Sequence, residues 1–68
     1  MKRSLPKSIA IGGHRLKIQR KRHLLTEQNA YGTFDGVSLI ITIDDSLSDT
    51  LAWETLWHEV VEAINFFL

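Results

Sequence analysis

Apolar and polar positions change their rhythm once along this chain. Ile9 and Ile11 alternate with Ser8 and Ala10, and Leu16 and Ile18 alternate with Arg15, Lys17 and Gln19. A period of two marks strands with one covered face. Gly12-Gly13 separates the two runs and predicts a tight hairpin, because glycine accepts the positive φ such turns require. Arg20 to Ala30 has no period and reads as a loop or an irregular strand extension. Tyr31-Gly32-Thr33-Phe34 then leads into Asp35-Gly36, a favoured two-residue turn, and Val37 to Ile43 reads as a β-branched strand. Its Leu39-Ile40-Ile41 run is apolar on both faces and is expected to be well covered. After Asp44-Asp45 the period becomes helical. Trp53, Leu56, Trp57, Val60, Ile64, Phe67 and Leu68 recur at three- and four-residue spacings, with Val61 and Ala63 beside them. Ser46 or Ser48 can cap this helix, which runs from about Asp49 to Leu68, and Asp49 suits its positive end. The expected fold is α+β: two antiparallel β-hairpins in one small sheet, packed against one C-terminal helix.

Sixty-eight residues, 44% apolar and 24% charged, make one small domain and exclude a disordered chain. Residues 1–7 are expected to be frayed. No cysteine is present, which removes disulfides, thiolate metal sites and cysteine nucleophiles. No apolar run approaches the ~20 residues that span a bilayer, and no signal-peptide pattern follows Met1-Lys2-Arg3. A cytoplasmic location without membrane contact is therefore expected. The chain stops while still helical and apolar, at Phe66-Phe67-Leu68, without a glycine or basic closing residue. The expectation is that this end meets a partner or a second copy, or that the chain continues beyond it.

The zero net charge hides a division. All eight basic residues lie between Lys2 and Arg22, and all eight acidic residues from Glu27 onward. A basic surface for nucleic acid, built on Arg15, Arg20, Lys21 and Arg22, is one reading. The favoured expectation is internal neutralisation, basic strands against an acidic helix, because no aromatics that could stack on bases are interleaved with the basic run.

The candidate chemistry lies on the helix. His58 and Glu62 are four residues apart and so share a face, and Glu54 and Asn65 extend the same polar stripe. An imidazole and a carboxylate at this spacing can hold one divalent cation, with Glu59 next to it. The alternative is an ordinary solvated stripe.

Leu56-Trp57-His58-Glu59-Val60-Val61-Glu62-Ala63-Ile64-Asn65 resembles the "HEIIEAIN" helix of short phage and prophage proteins, which in turn resemble gluzincin-type zinc metallopeptidases carrying H-E-x-x-H. The likeness of element order covers most of residues 8–65, and residues 56–65 carry its close part. It implies Zn2+ as cofactor, His58 as a zinc ligand, Glu59 as the general base, and Glu62 in the place of the second histidine ligand. It also implies that strand Val37–Ile43 is a sheet edge along which a peptide lies. The family's third ligand lies downstream of the helix, a distance this chain does not reach; His14 or His23 could replace it only if the first hairpin folds back. The resemblance thus leads to a phage-derived metallopeptidase-like protein, weakly active or inactive, working inside a bacterial host cell. The alternative is a non-catalytic phage protein that binds and inhibits a bacterial host or defence protein, a role for which the apolar helix end and polarised charge are suited.

Overall fold

The computed structural model describes residues 5–22 and 30–67. It contains four strands, β1 (Ser8–Ile11), β2 (His14–Lys21), β3 (Gly32–Asp35) and β4 (Ile40–Asp44), followed by one helix, α1 (Asp49–Phe67). The fold is α+β, as the alternation and the later helical period predict. Both hairpins form: β1 pairs antiparallel with β2, and β3 antiparallel with β4. They join through a parallel pairing of β2 with β4, in register Ile18 to Ile41, so the sheet order is β1-β2-β4-β3. The Val37–Ile43 segment is therefore no sheet edge: β4 is held on both sides, and among the described strands β1 and β3 are the outer ones.

The first turn follows its sequence. Gly12 and Gly13 have φ of 55° and 83°, and Ile11 faces His14 across them. The second differs. Asp35 Oδ1 accepts N–H donors from both Val37 and Ser38, at 2.9 and 3.1 Å, and its other oxygen accepts the Ser38 hydroxyl. These bonds draw Gly36 through Leu39 into a four-residue loop, with Leu39 at φ 60° and Val37 fully out in solvent. The side chain of Asp35 outcompetes the two-residue turn its Asp-Gly pair would otherwise favour. Ile40 consequently starts β4 half-buried rather than well covered. Ser48, not Ser46, caps α1, its hydroxyl accepting the Leu51 N–H at 3.3 Å. Ser46 instead donates its hydroxyl to Asp44 Oδ1.

Helix α1 covers one face of the sheet. Leu16, Ile18, Ile41 and Ile43 meet Ala52, Leu56, Val60 and Ala63 in a core that is nearly dry. The alternation of β2 sends Arg15, Lys17 and Lys21 to the opposite face, where all three are exposed. Between described residues the ion pair found is Arg22 with Asp45, at 3.8 Å and largely in solvent.

The apolar stripe faces inward in part: Leu56 and Val60 are buried with Ala52, Thr55, Glu59 and Ala63, and Trp53 and Phe67 pack beside them, while Trp57, Val61 and Ile64 are exposed. A Cβ on Gly32 would lie 2.7 Å from Thr55 Cγ2 and 3.1 Å from the Thr42 carbonyl oxygen. The small side chains of Ala52, Thr55 and Ala63 let the helix lie close to the sheet here.

Gly32→Ala is therefore expected to destabilise the domain by about 2 kcal/mol in urea unfolding, since the β-branched Thr55 has no free rotamer to move to. In a Thr55→Ser background, which lacks the obstructing methyl, the cost should fall by at least half. Strictly additive effects of the two changes would show that this contact does not set the helix distance.

Candidate functional site

The close approach at Gly32 buries a carboxyl group. Glu59 follows Thr55 by one turn on the inward line and is only 9% exposed. Its Oε1 is buried with no hydrogen-bond partner among the described residues. Burial pushes its pKa up from 4.5 to about 7, and the neighbouring Glu62 carboxyl, through a hydrogen bond and like charge, pushes the same way. A carboxyl that stays neutral into the physiological range, beside an imidazole, is uncommon on a short helix and marks a candidate site.

Two open clefts meet at this residue. One, of about 290 Å3, runs between β3 and the helix and is walled by Tyr31, Gly32, Glu54, Thr55, His58 and Glu59. The other, of about 420 Å3, is lined by His58, Glu59, Val61 and Glu62. His58, Glu59 and Glu62 thus share one surface, with His58 and Glu62 exposed and Glu59 recessed. The free edge of β3 borders the first cleft, so the open edge near the site is β3 and not the segment Val37–Ile43.

The donor types suit a divalent cation, an imidazole nitrogen and a carboxylate one turn apart. Among the described residues the number is two, one short of the three usual for a catalytic zinc. Among the described residues no group of three His, Cys, Asp or Glu side chains converges to hold a metal. His14 is engaged elsewhere, stacked on Phe67 with ring centroids 4.2 Å apart. That position lies nine residues, or about 13 Å of helix, beyond His58. His23 lies outside the described residues. A two-ligand set is one short of the usual catalytic minimum, and no hydrolytic step follows from it.

The other candidate residues separate. Phe67 is half-buried against His14 and Phe34. Phe66, 62% exposed, sets its ring edge-on to Phe34 and Phe67 and lies over Gly36. Leu68 is outside the described residues. Arg15 and Lys21 lie on the sheet face away from α1; Arg20 donates to the Asp44 carbonyl at 2.9 Å, and Arg22 reaches toward Asp45. Tyr31, Gly32 and Thr55 form a wall of the site that sequence reasoning missed. The signal was present in the small residues Ala52, Thr55 and Ala63, which share a line with Glu59.

No protein family, curated protein or solved structure matches this chain. No helix among the described residues is long and apolar enough to cross a membrane.

The raised pKa of Glu59 fixes a sign. Below pH 4.5 the carboxyl is protonated folded or unfolded and costs nothing. Between pH 4.5 and about 7 the unfolded chain releases this proton while the folded chain keeps it, so stability falls as pH rises and levels off above 7. Unfolding of the metal-free protein in chelator, followed from pH 4 to 8, should show wild type losing on the order of 1–3 kcal/mol relative to Glu59→Gln across that window. Parallel curves for the two proteins would mean that Glu59 ionises freely in the fold.

Proposed function

We propose that this chain is a phage-type, metallopeptidase-like domain that holds a divalent cation, zinc foremost, through His58 and Glu62 and is weakly active or inactive as a peptidase. The observation that supports the reading is the recessed Glu59 carboxyl, its Oε1 without a partner among the described residues, in the cleft that His58 and Glu62 also line. Glu59 stands where a proton-accepting carboxyl would be needed beside a cation, and its raised pKa lets it exchange a proton near neutrality. The free edge of β3 gives an extended peptide a place to add a strand beside the cleft. The limit on activity is the ligand count: two donors bind a cation and leave its chemistry unsupported.

Zinc titration by calorimetry tests this directly. One equivalent should bind, and affinity should fall at least tenfold in both His58→Ala and Glu62→Gln. Absence of binding at saturating zinc, or equal binding by both variants, would remove the cation site and with it this function.

A second reading rests on a different surface. Trp57 and Val61 are 59% and 55% exposed, and with Ile64 they form an apolar line along α1. A non-catalytic protein that blocks a bacterial host protein would use such a line, since exposed apolar stripes of this kind mark contact surfaces. In that case Trp57→Glu abolishes binding to an isolated host target and Glu59→Gln leaves it intact; the reverse pattern returns the function to the Glu59 site.

A further inference from the structure

A cation held by His58 and Glu62 alone is half coordinated. Zinc in a closed site takes four protein ligands in a tetrahedron. Among the described residues no third His, Cys, Asp or Glu converges on this pair, and His14 is turned onto Phe67. The remaining donors have to come from elsewhere, and the surface around the pair indicates where.

His58 and Glu62 both stand on the exposed side of α1, one turn apart, with about 5–6 Å between Cβ atoms at this spacing. An ion gripped there lies at the protein surface, where the same pair on a second copy can reach it across a two-fold axis. Two copies bring two imidazoles and two carboxylates, four ligands of the types zinc accepts. The charge closes as well, since two Glu62 carboxylates balance one dication. Glu54 adds a further exposed acid on the same stripe, so two such surfaces repel each other until a dication lies between them. A basic partner would neutralise these acids directly and compete with the ion. A copy of the same surface is the occupant that requires it.

Two further features suit this pairing. Glu59 is nine-tenths buried, and its Oε1 has no partner among the described residues, in the cleft of about 420 Å3 that His58 and Glu62 line. A metal-bound imidazole offers its second ring N–H to just such an acceptor. Val61 lines the same cleft, and Trp57 and Ile64 are exposed beside it. Copies joined at His58 and Glu62 bring this apolar line of each near the other, a self-matching patch of the kind a two-fold contact uses.

We infer that one zinc ion is shared by two copies of this chain, each giving His58 and Glu62, so that the ion assembles a two-fold dimer. The inference rests on the cation reading above and supplies the ligands that reading leaves open.

Sedimentation velocity of the full chain, first in chelator and then at rising zinc, tests it. In chelator the chain should be a monomer. The dimer should reach its maximum at about half an equivalent of zinc and dissolve again in excess zinc, when each copy holds an ion of its own and the titration ends at one per chain. His58→Ala and Glu62→Gln should each abolish the dimer; both positions are exposed, and circular dichroism should show both variants folded. His23→Ala should leave the dimer unchanged. A chain that binds one equivalent yet stays monomeric at every zinc level overturns the shared site and leaves the cation reading standing. Monomeric binding that weakens in His23→Ala overturns it too, by placing a third ligand within the chain. No zinc binding at all overturns both. A dimer already present in chelator, or zinc-driven species that grow past two copies, also overturns the inference.

Discussion

The distance between α1 and the sheet is set where Gly32 passes under Thr55, and most of what is distinctive here depends on that contact. A larger residue at either position would lift the helix. The small side chains of Ala52, Thr55 and Ala63 let the backbone come close, and closeness is what carries Glu59 below the surface. The described strands and helix bury a thin core, so placing a carboxyl with one unpartnered oxygen at its margin is a sizeable concession of stability in a domain this small. Such a cost is more often met at working sites than in scaffolds. Trp57 lies outside with Val61 and Ile64, while Leu56 and Val60 pack inward beside the small residues.

The one-sided arrangement has a second consequence. Helix α1 covers one face of the sheet, and the strand period of two sorts the residues of β2 between the two faces. Leu16 and Ile18 go to the core, Arg15, Lys17 and Lys21 to the outside. The acidic residues of α1 and the Arg15, Lys17 and Lys21 of β2 therefore end on opposite sides of the sheet.

Much of this was legible in the residues. Gly12-Gly13 dictated the first hairpin, the β-branched run to Ile43 gave β4, and Ser48 with Asp49 announced the helix. What escaped depended on competition or on distance. The Asp35-Gly36 turn lost to hydrogen bonds from the Asp35 carboxylate, a local contest that residue preference alone does not decide. The parallel joining of β2 to β4 is a tertiary choice with no local mark, and it turned an expected edge into a central strand. The site was half legible. The one-turn spacing of His58 and Glu62 follows from helix geometry, but the recess of Glu59 required knowing which face met the sheet. The apolar residues pointed to Trp57, while the small ones pointed to Ala52 and Thr55.

The account turns on Glu59 being inward and neutral beside Glu62. Carbon-detected NMR of the side-chain carboxyls across a pH titration of the metal-free protein observes this group itself. The account predicts a Glu59 midpoint near 7. A midpoint near 4.5, the value of a carboxyl in open water, would mean that the helix is turned otherwise and that the recessed site does not exist.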